Sequence, residues 1–362
     1  MNPIYFVLTS FIELYVFIRS KINEEWPLKN SSKISEWKLM AFAFSQSKIG
    51  VFGGLLVTLF VILAIIGPLL AYAKYDYFPV VDNPDYKLLP PNSELEGKRF
   101  ILGTDWMGRD ILNMIFYGIR ISVVISFIVI ILGVPLGIIL GLLSGYLKGH
   151  FDEFIMRLTD IFLAFPGLIL AIAFASVLPS RIYEFLESNP YIRDFWLWIF
   201  ALEPEHSPHL AAIFSLMIAL ALVWWPGYAR IVRASTLSIS EQVFIEAAKS
   251  LGLSKTKILF KHILPNIIAP VLVLITFDLG TVPLLAAALS FLGLGPTEPV
   301  PELGRLISYS GSYFPERSWW IVISVGTVLF LLALGWNLLG DSLRDVLDPR
   351  TRRAMEFKVG KK

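Results

Sequence analysis

The sequence contains no cysteine among its 362 residues, which excludes a disulfide framework and a cysteine-ligated metal site. Charge is also scarce, because Asp, Glu, Lys and Arg make up only 17% of the chain. Soluble domains carry about 25% charged residues, and about 45–50% of their residues are apolar. Here the hydrophobic share is 56% and the formal net charge is +2. This composition predicts a membrane protein, and the small net charge does not suggest a nucleic-acid partner.

The signatures of several common enzyme classes are missing as well. The chain has no G-x-x-x-x-G-K-[ST] phosphate-binding loop, no H-E-x-x-H zinc motif and no G-x-S-x-G nucleophile elbow. An intramembrane enzyme is therefore a poor hypothesis, and we predict no catalytic residue. His206 and His209 lie beside Glu203 and Glu205, where a metal site is possible. We favour a solvated loop there and predict no bound metal.

Long uncharged runs dominate the rest of the chain. A transmembrane helix needs about 20 mainly apolar residues. Six runs are long enough: Ile49–Ala73, Ile121–Leu147, Ile161–Ser180, Leu210–Ala229, Ile263–Thr297 and Ser318–Gly340. The run that begins at Ile263 is interrupted only by Asp278. The sequence therefore predicts an all-α membrane protein with six transmembrane helices.

The distribution of Lys and Arg predicts the orientation of these spans. Basic residues concentrate in segments 1–48, 230–262 and 341–362, which the positive-inside rule places in the cytoplasm. Segment 74–118 is also basic, but the alternation of six spans places it outside. We therefore divide the chain into an N-terminal cytoplasmic or interfacial segment (1–48), a first transmembrane helix (49–73), an external loop (74–118), a transmembrane domain (119–340) and a cytoplasmic C-terminal tail (341–362).

The N-terminal segment contains a shorter apolar run over residues 4–18, which includes Glu13. No basic region precedes this run and no small-residue cleavage site follows it, which argues against a removable signal peptide. We favour a helix that lies in the membrane interface. A seventh span is the alternative.

The stretch from Ser238 to Asn266 is the longest polar interval in the second half of the chain. Ser238 and Glu241 have the spacing of a capping box, which predicts that a helix begins there. Gly252 is expected to end this helix, and Ser254 is expected to cap a second one. Periodicity alone favours an ordinary amphipathic connector at a membrane surface.

Five blocks of sequence narrow this interpretation. They are LGTDWMGRDI with YGIRIS (Leu102–Ser122), GYLKGHFDEFIMRLTDIFLAFPGLILA (Gly145–Ala171), WPGYARIVRASTLSISEQVFIEAAKSLG (Trp225–Gly252), LSFLGLG (Leu289–Gly295) and NLLGDSLRDVLDPR (Asn337–Arg350). From about residue 101 to residue 350 the chain resembles the second, C-type membrane subunit of dipeptide and oligopeptide ATP-binding-cassette importers. Its Glu246-Ala247-Ala248…Gly252 spacing resembles that family's EAA loop.

The resemblance implies a type I importer permease fold, in which cytoplasmic EAA coupling helices dock on the ATPase. The residues that it assigns to this contact are Glu241, Phe244, Glu246, Ala247, Ala248, Gly252, Leu253, Ser254 and Lys257. It also implies a prokaryotic cell membrane, a second homologous permease, two ATPase subunits and an external substrate-binding protein. ATP and Mg would be bound by the ATPases, so that this chain needs no cofactor.

The resemblance further implies that the solute is a di- or oligopeptide. The same type of importer carrying oligosaccharides or nickel is an alternative, and an ion-coupled secondary transporter is a more distant one. Asp278 is a candidate for the translocation path, because an ionisable group inside a membrane normally faces a bundle interior or a wet cavity. A structural hydrogen bond to a neighbouring helix is the other interpretation. Asp160 and Pro166 are weaker candidates for the path.

One further pattern concerns helix packing. Gly133, Gly137, Gly141 and Gly145 recur every four residues and therefore share one face of a helix. Such a stripe of small residues lets a second helix approach closely.

Overall fold

The structure is a computed structural model that describes residues 3–313 and 316–347. It divides into two compact units, one formed by residues 1–57 with 334–362 and the other by residues 58–333. Most of the predicted C-terminal tail, from residue 348 onwards, lies outside the described residues.

The smaller unit contains the N-terminal helices and parts of two longer ones. Its helices are α1 (Pro3–Ile22), α2 (Trp26–Lys29), α3 (Ser31–Gln46), the first half of α4 (Lys48–Leu70) and, from the end of the chain, part of a helix over Trp319–Leu347. Glu13 of α1 forms an ion pair with Lys38 of α3 at 3.0 Å. A Cβ atom at Gly53 would lie 2.7 Å from the Leu338 side chain, so that glycine allows close packing of the two long helices.

The larger unit is a helical bundle with one small hairpin. The helices, in chain order, are α5 (Pro79–Asp82), α6 (Ile111–Leu147), α7 (Gly149–Ala164), α8 (Gly167–Val177), α9 (Pro179–Glu187), α10 (Pro190–Phe200), α11 (Ser207–Ser240), α12 (Val243–Ser250), α13 (Lys255–Ile258), α14 (Leu264–Phe291) and α15 (Leu303–Tyr313), and α16 is the helix over Trp319–Leu347. Strands β1 (Ser93–Leu95) and β2 (Lys98–Phe100) pair antiparallel, with Glu94 opposite Arg99.

Within residues 3–313 and 316–347, six helices are long and apolar enough to cross a membrane, and a bent pair can supply a seventh span. The six are Pro3–Ile22, Lys48–Leu70, Ile111–Leu147, Pro204–Ser240, Lys255–Phe291 and Trp319–Leu347. The prediction of an all-α membrane protein is confirmed. Because α1 meets the length criterion, its assignment to the interface or to a span stays a prediction.

The predicted third span, Ile161–Ser180, is not one straight helix. The chain bends by 92° between α7 and α8. Phe165 adopts an extended conformation (φ −91°, ψ 141°), as is favoured for a residue that precedes proline. Pro166 follows it and begins the new helical direction as the N-cap of α8. The predicted single span is thus divided into two helices at the proline, and a count of apolar residues does not detect such a bend.

The helix that contains the predicted run Ile121–Leu147 begins earlier than that run. Helix α6 begins at Ile111, because the Asp110 side chain accepts a hydrogen bond from the Leu112 N–H and caps the helix. The predicted apolar run begins at Ile121, directly after the charged residue Arg120. In the structure its guanidinium donates to the carbonyl oxygens of Trp198 and Ile199, which lie in the last turn of α10. The charge is thereby accommodated inside a continuous helix.

The glycine face of α6 packs against the backbone of α11. A Cβ atom at Gly137 would lie 2.5 Å from the Trp225 carbonyl oxygen, and one at Gly141 would lie 2.6 Å from that of Ala229. Gly133 faces the Ala221 carbonyl and Gly145 that of Arg233 in the same way. The contacts step by four residues on both helices. The predicted close approach is confirmed, and it brings backbone against backbone.

This interface predicts a stability effect for Gly137→Ala. The added methyl group would meet a backbone atom that cannot rotate away, so we expect the variant to lose about 1–3 kcal/mol, as other overpacked cores do. Gly326→Ala is the matched control, because no atom lies within 4 Å of its added Cβ and alanine favours helix. The melting temperature of the purified chain in detergent should fall for the first variant only. Equal melting temperatures would show that the helices are not in close contact at Gly137.

Candidate functional site

The polar stretch after α11 forms a short helix that begins later than predicted. Helix α11 continues to Ser240, Glu241 follows it, and Gln242 (φ −79°, ψ 147°) is the N-cap of α12. The predicted capping box at Ser238 is therefore wrong. Packing keeps Ser238 inside α11, because Thr236 lies against Gly145 of α6 and the helix continues past this contact.

The end of α12 agrees with the sequence prediction. Gly252 has φ +74°, a conformation that favours glycine, and its N–H donates to the Lys249 carbonyl at 2.9 Å. The Leu253 N–H donates to the Ala248 carbonyl at 3.2 Å, which completes a Schellman turn. Ser254 then caps α13 by accepting from the Lys257 N–H. The two predicted roles, for Gly252 and Ser254, are confirmed, and they set the direction between the two helices.

Helix α12 has one face turned into the protein and one turned away from it. Ile245 and Ala248 are buried. The exposed apolar residues follow one side of the helix and are here named the α12 stripe: Val243, Phe244, Ala247 and Leu251. The side chains of Val243 and Leu251 are each 80% exposed. The sequence analysis did not assign either residue to the contact, although their spacing of four from Ala247 places all three on one helix face.

The charged residues near α12 lie around the stripe. Lys148, which follows α6, forms a 3.5 Å ion pair with Glu241, and Lys249 lies 5.7 Å from the centre of the Tyr146 ring. Glu246 is exposed. A cavity of about 630 Å³ separates this part of α12 from the end of α6. Exposed ion pairs contribute little to stability, so these charges are available to a partner surface.

Asp278 lies on α14 and contacts α11. Its carboxylate accepts a hydrogen bond of 2.5 Å from the Tyr228 hydroxyl. A structural hydrogen bond to a neighbouring helix was one of the two interpretations of Asp278, and the structure contains such a bond. The Asp278 residue is nevertheless partly exposed. Tyr228 was not predicted to take part, although it belongs to the quoted Trp225–Gly252 block.

Asp160 forms a different contact on α11, an ion pair with Arg230. Tyr228 and Arg230 are two residues apart and therefore point to nearly opposite sides of α11. The structure thus does not bring Asp160 and Asp278 to a shared partner. Pro166, the third predicted residue, lies at the bend between α7 and α8.

A second ion pair lies one helical turn along α11. Arg233 donates to both carboxylate oxygens of Asp152 at 2.5 Å, and the Ser144 hydroxyl also donates to Asp152. The sequence analysis missed Arg230 and Arg233. Both arginines belong to the quoted Trp225–Gly252 block, and both acids belong to the quoted Gly145–Ala171 block. Together the two pairs hold α7 to the part of α11 that leads into α12.

The opposite end of α6 carries a buried charge cluster. Arg109 is almost completely buried, and its Nε atom lies 2.7 Å from the Asp105 carboxylate. Its Nη2 atom lies 2.6 Å from Glu298, in an ion pair without hydrogen-bond alignment, and Nη1 donates to the Pro299 carbonyl at 2.7 Å. Burial raises the pKa of the Glu298 carboxyl, and the Arg109 charge opposes that rise. The cluster joins segments that are 189 residues apart in sequence (298 − 109).

His206 departs from the sequence analysis as well. The residue is buried, and its Nδ1 atom lies 2.7 Å from the Tyr75 hydroxyl. The predicted solvated loop is therefore wrong at this position. The sequence carries no signal for it, because the partner lies 131 residues away.

We predict that Arg109→Met strongly destabilises the protein. The variant leaves the carboxylates of Asp105 and Glu298 buried without their cation, and breaking a buried pair in this way costs about 3–5 kcal/mol. Arg157→Met is the matched control, since Arg157 also pairs with an acid four residues earlier, Glu153, but is largely exposed. Thermal unfolding in detergent should separate the two variants clearly, and adding Glu298→Gln should recover part of the loss. Similar melting temperatures for both single variants would contradict the proposed importance of the cluster.

A bundle of helices that are long and apolar enough to cross a membrane defines a multi-pass membrane protein. Comparison with known families identifies the class. Residues 133–353 match the family described as binding-protein-dependent transport system inner membrane component. Residues 35–91 match the N-terminal transmembrane domain of oligopeptide transport permease C. The chain belongs to this family of transport permeases, which are not catalytic subunits.

Individual relatives agree with this assignment. The chain is 34% identical to the dipeptide transport system permease protein DppC of Alkalihalophilus pseudofirmus, over 91% of this chain and 95% of the relative. It is 35% identical to the di/tripeptide transport system permease protein DppC of Pseudomonas aeruginosa, over 86% and 91%. It is 34% identical to the glutathione transport system permease protein GsiD of Salmonella paratyphi A, over 94% and 100%. The C-type permease resemblance seen in the sequence is thereby confirmed.

Proposed function

We propose that this chain is a membrane-spanning subunit of an ATP-driven importer and forms half of the path for di- and oligopeptides. The relatives named for dipeptide, tripeptide and glutathione transport support the choice of peptides as the solute. The observation that carries the proposal is the α12 stripe. A helix of eight residues that exposes a row of apolar side chains favours a surface built to be covered by a partner.

The partner at the α12 stripe is the ATPase subunit. Phe244 and Ala247 of the stripe supply apolar contact, while Glu241, Glu246 and Lys257 provide charge at its rim. Ala248 contributes from the other side of the helix, because its small side chain is buried and lets α12 lie close to the bundle. Gly252, Leu253 and Ser254 act indirectly by holding the turn. This division assigns the nine predicted coupling residues to contact and to positioning.

Movement of α12 would reach the membrane through α11. The buried side chains of Ile245 and Ala248 hold α12 to the rest of the larger unit. The Asp152–Arg233 pair holds α7 to the end of α11. ATP and Mg bind to the ATPase subunits, so this chain supplies no cofactor site for them. Closure of the ATPases displaces α12, and rigid-body movement of the attached helices alternates access between the two membrane faces.

The assembly contains a second homologous permease, two ATPase subunits and an external substrate-binding protein. In this arrangement α12 and both termini face the cytoplasm of a prokaryotic cell, as the distribution of Lys and Arg favours. The Arg109 cluster then lies on the external side, where the binding protein delivers the solute. Asp278 borders the translocation path between α11 and α14, and Asp160 and Pro166 act where α7 bends into α8.

The experiment that tests this function is purification of the tagged chain in mild detergent, followed by reconstitution into liposomes. We expect a second permease and ATPase subunits to copurify, and peptide uptake to require ATP and the binding protein. Uptake that an ion gradient drives without ATP would instead establish the secondary transporter. A chain that retains no ATPase, in a detergent shown to preserve such complexes, would refute the proposed assembly.

Val243→Asp should detach the ATPase. The side chain is exposed, so folding is unaffected, but burying an unpaired carboxylate in an apolar contact is costly. We expect at least about tenfold less ATPase to copurify, which corresponds to about 1.4 kcal/mol of binding free energy. Val81→Asp is the matched control, because Val81 is 78% exposed but lies in α5, in the segment between α4 and α6. Equal recovery of ATPase from both variants would exclude the α12 stripe as the contact.

Asp278→Asn should lower peptide uptake while the ATPase stays in the complex. The comparison is with Tyr228→Phe, which removes the hydrogen bond of 2.5 Å but keeps the carboxylate. If the carboxylate borders the path, uptake per folded complex falls in the first variant and is largely retained in the second. A purely structural bond predicts a different result, in which both variants melt earlier and both transport normally once folded. Uptake and melting temperature, measured on the same preparations, distinguish the two roles.

A further inference from the structure

A histidine and two carboxylates from distant parts of the chain meet beside the start of α11. Asp76 lies in the segment after α4, whereas Glu205 and His206 lie in the 3₁₀ turn Pro204–His206. One ligand atom from each residue lies within 4.8 Å of the other two. Imidazole and carboxylate groups together form a common donor set for divalent transition metals.

The imidazole ring of His206 is held in a fixed orientation. The side chain is only 8% exposed, and its Nδ1 atom lies 2.7 Å from the Tyr75 hydroxyl oxygen. That oxygen also accepts the Glu203 N–H at 2.9 Å. A phenolic oxygen has two lone pairs, so it can accept the Nδ1–H of His206 as well. In that tautomer Nε2 carries the free lone pair, as it does in metal-binding histidines that donate their other ring N–H to a neighbouring acceptor.

The donor groups of this cluster include several that form no hydrogen bond with the described part of the chain. Among the residues that the structure describes, no hydrogen bond or ion pair involves the carboxylates of Asp76 and Glu205 or the Nε2 atom of His206. The convergence of three such groups therefore points to a ligand.

The local charge favours a cation. Three carboxylates lie in this region, those of Asp76, Glu203 and Glu205. Lys74 already pairs with Glu203 at 2.7 Å. Within the described residues, the carboxylates of Asp76 and Glu205 form no ion pair and together carry a charge of −2. A divalent cation would offset this negative charge, whereas a bound anion would be repelled by it.

We propose that Asp76, Glu205 and His206 bind one divalent first-row transition-metal ion, with Zn²⁺ as the probe. Bonds of about 2.0–2.1 Å from a tetrahedral metal place ligand atoms about 3.3 Å apart, so the carboxylates must close in around the fixed imidazole. Glu205 is exposed and free to do so. Water completes the coordination. The ion joins the segment after α4 to the first turn of α11, two parts of the larger unit.

The test uses the full-length chain, purified in detergent with a tag that contains no histidine and stripped of metal with a chelator. Zn²⁺ is titrated in competition with a chromogenic chelator, and we expect one ion per chain. Asp76→Asn and Glu205→Gln should each weaken binding at least tenfold, and Zn²⁺ should raise the melting temperature of the wild type but not of these variants. Both are conservative changes outside the buried core, so folding is retained. The buried His206 is not needed for the test.

His150→Ala is the matched control, since His150 is exposed and lies far from this site in sequence. It should bind Zn²⁺ as the wild type does. Binding that Asp76→Asn and Glu205→Gln leave unchanged would overturn the proposal, as would a loss of binding in His150→Ala alone. Absence of a stoichiometric site in the wild type would overturn it too. None of these outcomes depends on ATP or on peptide uptake, so the metal site and the proposed transport function are tested separately.

Discussion

The close contact between α6 and α11 is the constraint on which the larger unit depends. Four glycines on α6 face four backbone carbonyl groups on α11, at a spacing of four residues on each helix. In a bilayer the hydrophobic effect does not drive two apolar helices together, and close van der Waals packing takes its place. Any side chain beyond hydrogen at these positions would push the backbones apart, so the contact tolerates little variation.

Helix α11 connects the remaining elements because it is fixed in this way. Besides α6 it contacts α7, α8, α9 and α14, and its last residue is three residues from the start of α12. Its polar side chains are spread over different sides, with Tyr228 bonded to Asp278 and Arg230 paired with Asp160. In the proposed coupling, a displacement of α12 would reach a helix that contacts several other helices of the bundle. This arrangement gives the proposed coupling a physical route.

Local features of the chain were predictable where the determinant is local. Gly252 ends α12 because of its own backbone freedom, and Ser254 caps α13 with its own side chain, so both could be inferred from a few neighbouring residues. Ser238 failed as a cap because a tertiary contact at Thr236 keeps α11 helical. The bend at Pro166 was not predicted, because a count of apolar residues does not indicate the direction of the helix. The start of α6 before Arg120 was missed for a related reason, since the carbonyl groups that accept hydrogen bonds from Arg120 include one about 80 residues away.

The sequence by itself determined that this protein is an α-helical membrane permease, which stretch is exposed between two spans, and which glycines form a packing face. Hydropathy, periodicity and short motifs encode these properties over at most a few turns of chain. Only the tertiary structure decided which groups meet: Arg109 with Glu298, Tyr228 with Asp278, and His206 with Tyr75 and Asp76. Each of these pairs spans 50 or more residues, and a single sequence does not record which distant side chain satisfies a buried charge or hydrogen-bonding group.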